Sequence, residues 1–370
     1  MVRLSATLER CFGVERAVLV GRAARGLLAV LRIWRGSRPK CRVAISGAIC
    51  QEVLLAVLVA GCEPVFCDVD AADGLVPDSE WARARILGAD VAIVAHLYGN
   101  PAQTAGIRSI FPKSDCLVVD DAAQALGSHT EDGLCGSLGD IGLLSFGRSK
   151  QISIGNGAIL VRDLELAAKI EADLSMIVGR CGQSKSDLQR TFRAKLDSAR
   201  QQLIATEVPD AGGFAGLLDG MDWMLDVPFD AALSEGVLSA LEHYQEDSLA
   251  RVAKARMWRD CLEGTGLVAV GMGSGCVPWR YVCRFPGIGW NLQTLIAEAI
   301  RKRGIHVSTW YLPANWFVGQ SVGTLPGVEC LSREVFQFWL DGDATQESIA
   351  VSAEVIRREL AQLAVLGKYS

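Results

Sequence analysis

Within the first 160 residues, short apolar runs alternate with longer stretches of helical periodicity, and no other pattern in the chain narrows its folding options as far. Strands are expected at 17–20, 42–46, 64–69, 91–96, 116–120, 141–146 and 158–161. Helices are expected between them at 21–34, 51–60, 79–87 and 103–111. Strands that are apolar along their length are buried on both faces. Strand–helix–strand repeats then put helices on both sides of a mainly parallel sheet. The expected class is therefore α/β. Ligands in such sheets bind beyond the carboxyl ends of the strands, so the residues that follow each strand are the ones to read for chemistry.

The pattern changes beyond Asp163. Leu188, Phe192, Leu196, Ala199 and Leu203 make a helical stripe in a charged segment, and 184–204 reads as an inserted helix, a lid or part of a subunit surface. A loop with Gly212, Gly213 and Gly216 follows, then a long helical region over 233–262. The last hundred residues read as α+β. Strand material begins at Val268, a helix over 291–303 ends at Gly304, and a strand covers 335–340. Thr345 is a good N-cap for a final helix whose stripe is Ile349, Ala353, Ile356 and Leu360. A chain of 370 residues exceeds what one core supports. We expect a large α/β domain over 1–245, with its inserted helical segment at about 164–225, and a small α+β domain over 246–370.

Composition excludes several classes. A net charge of −5 gives no reason to expect nucleic acid or an anionic membrane as partner. No apolar run approaches the roughly 20 residues needed to span a bilayer, and residues 1–16 lack the layout of a signal peptide. None of the 12 cysteines forms a CxxC pair, and no Cys/His cluster has zinc spacing. Buried, reduced cysteines in a cytoplasmic protein are expected.

The residues with chemical promise lie in 117–161. Asp121 ends a strand, with Gln124 three residues on. A Gly136-Ser-Leu-Gly-Asp140 segment follows, then Ser145-Phe146 and Lys150 at the end of the next strand. In spacing and order these three linked motifs resemble the DegT/StrS family of sugar aminotransferases, which use pyridoxal 5′-phosphate (PLP). Gly61-Cys-Glu-Pro-Val-Phe-Cys-Asp68, His96-Leu-Tyr-Gly99, Leu325-Pro-Gly327 and Leu331-Ser-Arg-Glu-Val335 extend the likeness over most of the chain.

The resemblance implies the PLP-dependent transferase fold of the aspartate aminotransferase type (fold type I), with a seven-stranded, mostly parallel sheet. It implies a homodimer, and an amino group moved from glutamate or glutamine to a keto group of a sugar or related metabolite. Lys150 would form the imine with PLP and shuttle the proton. Asp121 would face the pyridine nitrogen and keep it protonated, Gln124 would lie beside the ring, and Ser145 would bond the phosphate.

This sequence also departs from the family. Gly21-Arg22-Ala23 stands where a Gly-Thr usually holds the phosphate; the helix N-terminus still suits an anion, and Arg22 can add charge. Cys50 falls where an aromatic residue usually stacks on the ring. Asp226-Val-Pro-Phe replaces an Asn-x-Arg motif whose Asn reaches the partner's phosphate. Ser308-Thr-Trp-Tyr311 lacks the usual His, with Trp310 and Tyr311 read as packing more than substrate contacts. These changes point to an acceptor other than the usual nucleotide sugar.

Two alternatives stay open. One is a PLP lyase or dehydratase, which in this family often replaces the lysine, so that Lys150 argues against it. The other is a non-catalytic homologue, against which the set of Asp121, Gln124, Ser145 and Lys150 argues. Three further motifs do not hold. Gly271-Met-Gly-Ser-Gly275 lacks the phosphate-loop lysine and reads as a hairpin turn, and Gly21–Gly26 lacks the middle glycine of a dinucleotide fingerprint. Gly319-Gln-Ser-Val-Gly323 has no following helix or histidine and reads as a loop. The four histidines show no ligand spacing; His129 is expected on a hairpin and the others in structural roles.

Overall fold

The computed structural model describes residues 1–176, 185–309, 311–341 and 344–365. Its larger sheet has seven strands: β1 (Arg16–Val20), β2 (Arg42–Ser46), β3 (Glu63–Cys67), β4 (Val91–Ala95), β5 (Leu117–Asp121), β8 (Ile141–Ser145) and β9 (Gly157–Val161). Between β5 and β8, β6 (His129–Thr130) and β7 (Gly133–Leu134) form a small hairpin. The sheet order is β1-β9-β8-β5-β4-β2-β3, and β9 alone opposes its neighbours. All seven strands coincide with the expected apolar runs. Val43, Ile45, Val91, Ile93 and Val119 are completely buried, as strands covered on both faces must be.

The helices of this part are α1 (Val2–Phe12), α2 (Ala23–Arg35), α3 (Gln51–Val59), α4 (Asp78–Ile86), α5 (Thr104–Ile110) and α6 (Leu164–Leu174). One face of the sheet is covered by α2 and α3, the other by α4 and α5. Leu27, Leu28 and Leu31 on α2 are wholly buried; each contributes about 2 kcal/mol of apolar transfer.

Next come α7 (Lys185–Thr206), the short α8 (Ala211–Phe214), α9 (Ser234–Glu242) and α10 (Tyr244–Cys261). The inserted helix is present from Lys185; Ser184 lies outside the described residues. Its stripe of Leu196, Ala199 and Leu203 is buried in the main core. The Glu207 carboxylate that follows accepts the first N–H groups of the helix over 290–302, from Trp290 at 2.9 Å and Asn291 at 2.6 Å. The long helical region expected over 233–262 is two helices. They break at His243, whose φ −104° and ψ 2° are not helical.

A second, antiparallel sheet has the order β10-β11-β13-β12: β10 (Val268–Ala269), β11 (Tyr281–Arg284), β12 (Val307–Ser308) and β13 (Val335–Phe338). It packs with α10, α11 (Trp290–Lys302) and α13 (Gln346–Val365) around Trp258, Tyr281 and Phe338. Thr345 caps α13, its Oγ1 accepting from the Ser348 N–H at 3.1 Å.

Between these strands the chain returns to the larger core. Tyr311, Trp316, Leu325 and Val328 pack with Val43 and Ile45. Here α12 (Pro326–Glu334) opens with Pro at its first turn, where the missing N–H costs nothing. The Asp68 carboxylate, just past β3, accepts from Gly327 and Val328 N–H at 2.9 Å each. A Cβ on Gly327 would lie 1.8 Å from the Val69 carbonyl oxygen, so only glycine allows this approach. Among the described residues no helix is long and apolar enough to cross a membrane, no metal-ligand cluster occurs, and the cysteines are free.

Candidate functional site

The carboxyl ends of β2, β4, β5 and β8 open onto one cleft. Its inner pocket is lined by Arg22, Ala23, Cys50, Asp121, Gln124, Ser145, Lys150 and Tyr311. An outer chamber shares Arg22, Cys50, Ser145, Lys150 and Tyr311 and adds Gly21, Trp279 and Arg280. The two enclose about 600 and 1680 Å³, solvent-open space included. Every site residue expected from the sequence therefore reaches this cleft.

Two successive aspartates end β5, and alternation sends their side chains to opposite faces. Asp121 faces the cleft. Its Oδ1 accepts from the Ala123 N–H at 3.0 Å; its other oxygen has no hydrogen bond among the described residues. Burial raises its pKa, against the pull of the Ala123 N–H and the Lys150 amine. A buried carboxylate with one unshared oxygen fits a cationic N–H donor such as a protonated pyridine nitrogen.

Asp120 points the other way and is fully buried. Its Oδ1 takes His96 Nε2 at 2.6 Å and Thr104 Oγ1 at 3.0 Å, and its Oδ2 takes the Gly136 and Leu138 N–H groups at 2.6 and 2.8 Å. His96 Nδ1 accepts from the Ala102 N–H at 2.9 Å, which fixes the neutral tautomer with its proton on Nε2. His96 lines the inner pocket too. Its side chain is nonetheless fully buried and bonded at both ring nitrogens, in keeping with its sequence reading as structural; the doubled aspartate was the available signal for its partner.

Gln124 is held at both ends. Its Oε1 accepts from the Tyr98 N–H at 2.9 Å, and its Nε2 donates to Tyr311 Oη. Tyr311 is thus a wall of the cleft, not packing alone; Trp310 lies outside the described residues. Tyr98 and Ser149 have φ of 63° and 65°, a conformation that costs non-glycine residues about 1–2 kcal/mol. Trp279 fastens both: its N–H donates to the Tyr98 carbonyl at 3.1 Å, and its Nε1 donates to the Ser149 carbonyl at 2.5 Å. Lys150 follows Ser149, half-buried, with Nζ 5.8 Å from the Trp279 ring centroid.

The opposite wall is the start of α2. Arg22 makes no side-chain cap, leaving the Ala23 and Ala24 end of the helix on the pocket. Such an end suits a phosphate. Gly21 runs against the 227–228 segment, where a Cβ would lie 2.2 Å from the Val227 and Pro228 carbonyl oxygens. Among the described residues, Ser145 Oγ accepts only a long 3.4 Å contact from the Gly147 N–H. The Arg22 guanidinium is paired with Glu52, a neighbour that the sequence reading did not include. Burial pushes the Cys50 thiol pKa up, so it is a neutral, soft wall. Asp226 lines a separate cavity beside Arg25, away from Lys150.

The donor set fits PLP: a buried acid for the ring nitrogen, an amine, and a helix N-terminus with a hydroxyl for the phosphate. Comparisons with known proteins agree. The profile of the DegT/DnrJ/EryC1/StrS aminotransferase family matches residues 2–201. The chain is 27% identical over 321 residues to a UDP-N-acetyl-3-dehydro-α-D-glucosamine 3-aminotransferase of Acidithiobacillus ferrooxidans, covering 82% of this chain and 74% of that one. It is 35% identical over 117 residues to an L-glutamine:2-deoxy-scyllo-inosose aminotransferase of Streptomyces fradiae, covering 31% of this chain and 27% of the relative.

Helicobacter pylori PseC, an aminotransferase of pseudaminic acid biosynthesis, superposes with a TM-score of 0.76 at 16% identity, over 98% of this chain and 91% of its own. Spr1654 of Streptococcus pneumoniae in its PMP form does so with a TM-score of 0.80 at 16% identity, over 100% and 92%. With the family profile spanning more than half of the chain and the fold matching throughout, this protein belongs to the DegT/DnrJ/EryC1/StrS aminotransferase family and is a PLP-dependent aminotransferase.

Proposed function

We propose that the amino donor is glutamate or glutamine and that the acceptor is a keto group on a sugar or a related polar ring. The observation that carries this reading is the meeting of Asp121 and Lys150 in one cleft at the strand ends, a buried acid within electrostatic reach of an amine. The printed activities of the Acidithiobacillus and Streptomyces relatives support the substrate classes.

When bound, PLP supplies an electron sink for the carbon that carries the amino group. The chain's residues do the remaining work. Asp121 holds a proton at the ring nitrogen and so keeps the sink cationic. Lys150 Nζ tethers the cofactor and, as a free amine, takes and returns the proton at the substrate carbon. Cys50 and Gln124 would line the seat of the ring, with Gln124 oriented by Tyr98 and Tyr311. Gly21, Arg22 and Ala23 at the start of α2, with Ser145, would hold the phosphate. Trp279 shields one side of Lys150 from water.

The same reading includes a homodimer, a cytoplasmic location, and a division near residue 245 between the cofactor domain and a smaller C-terminal one. Lys150→Ala tests the core of it. Turnover with glutamine is expected to fall at least a thousandfold, while the melting temperature stays within a few degrees of wild type. Normal transamination by that variant removes Lys150 from the chemistry.

A further inference from the structure

Arg280, just before β11, carries a charge that nothing in the described structure neutralises. It is 5% exposed. Its guanidinium lies between two indoles, with Cζ 4.0 Å from the Trp279 ring centroid and 3.5 Å from that of Trp339. Nη1 donates to Gln337 Oε1 at 3.3 Å, and Nε is buried with no acceptor. No Asp or Glu among the described residues pairs with it. Burial pushes its pKa down to about 10. A buried cation without an internal anion is unfavourable, and its presence in a cleft marks it for an external one.

Its place narrows the choice of anion. Arg280 lines the outer chamber with Lys150, Ser308 and Gln337, and is absent from the inner pocket that holds Asp121. The Trp279 ring that covers Arg280 also lies 5.8 Å from Lys150 Nζ, so the two cations are separated by little more than one indole. The anion it receives must therefore sit close to the reacting amine.

We propose that Arg280 is the receptor for the α-carboxylate of the amino donor, a role that rests on the aminotransferase reading above. With both faces covered by indole, the guanidinium offers an edge, and an edge of parallel N–H groups matches a planar carboxylate. An α-amino acid carries its carboxylate one carbon away from the nitrogen that must reach the reacting centre. A nucleotide diphosphate lies several bonds further off. The cofactor's phosphate already has the helix end and Ser145 on the inner wall. A sugar acceptor lacks the carboxylate, so Arg280 separates the donor half of the cycle from the acceptor half.

Two titrations of the PLP-loaded protein test this. Calorimetry with glutarate, a dicarboxylate without an amine, reads the site with no turnover. The cofactor's absorbance change then compares L-glutamine with 4-aminobutanamide, the same skeleton without its carboxylate. Arg280→Gln is expected to weaken glutarate about a hundredfold and to erase the preference for L-glutamine, with PLP retention unchanged. Arg280→Lys keeps the charge but loses the fork, and its smaller loss in both titrations decides the matter if Arg280→Gln is unstable. An unchanged glutarate constant in both variants, or lost PLP retention in place of lost glutarate binding, overturns the proposal. If wild type binds glutarate through Arg280 while neither donor alters the cofactor's absorbance, the carboxylate site stands and the aminotransferase reading falls.

Discussion

Replacing Asp120 by asparagine removes one charge and no volume, and the structure fixes what that does. The two carboxylate oxygens accept from four donors: His96 Nε2, Thr104 Oγ1 and the Gly136 and Leu138 N–H groups. An amide has one oxygen and one NH₂, so either orientation sets donor against donor. Turned toward Gly136 and Leu138, the NH₂ meets two backbone N–H groups. Turned toward His96, it meets an Nε2–H that cannot give up its proton, because Nδ1 already accepts from Ala102.

Two strong bonds are lost in a fully buried place, at about 3 to 5 kcal/mol. For 370 residues at about 2.1 cal/mol/K each, this lowers the melting temperature by roughly 4 to 6 °C. Thermal unfolding at neutral pH and matched PLP concentration measures it.

The pH dependence carries a sign. Burial pushes the Asp120 pKa up, and the His96, Leu138 and Gly136 contacts outweigh that and hold it low. The stabilisation is thus complete above the unfolded value of about 4 and is lost as pH falls through the lower folded one. The gap between wild type and variant should close in acid. A loss below about 1 kcal/mol at neutral pH, or a gap that widens in acid, refutes the reasoning.

Other outcomes follow from the phosphate wall. Arg22→Ala leaves the Glu52 carboxylate unpaired beside the cleft and is expected to raise the PLP dissociation constant about tenfold; unchanged affinity removes Arg22 from the site. Glu52→Gln should leave that constant equal or lower, and a weaker hold would make the ion pair, not the arginine, the element that matters. Gly21→Ala puts a methyl group against two carbonyl oxygens and is expected to cost about 1 to 3 kcal/mol in urea unfolding. A neutral result would show that the 227–228 segment yields.

The sheet was legible because its strands are apolar runs with polar residues confined to their ends, as Val91–Ala95 and Leu117–Asp121 illustrate. Lys150, Asp121, Gln124 and Ser145 were legible because their motif order fixes them to successive strand ends. The pairing of His96 with Asp120 was not, since the two lie 24 residues apart on neighbouring strands and only three-dimensional pairing joins them. Arg280 did carry a signal, a lone charge inside the apolar run Val277-Pro-Trp-Arg-Tyr-Val-Cys283. Tyr311 carried only its place in a motif that the resemblance sets near the site, because its reach into the cleft depends on how the chain returns to the first core. The break at His243 was hidden in a stretch that is helical on both sides.

The clasp between Asp68 and the start of α12 also bears on the order in which the molecule is made. The carboxylate leaves the ribosome some 260 residues before the N–H groups it must bind. Tyr311, Trp316 and Val328, which complete the first core, are likewise made well after the seventh strand, which ends at Val161. A nascent chain that has finished its seven strands still presents an open floor beneath the cleft, and the cofactor's seat matures only once the 311–328 segment has been made.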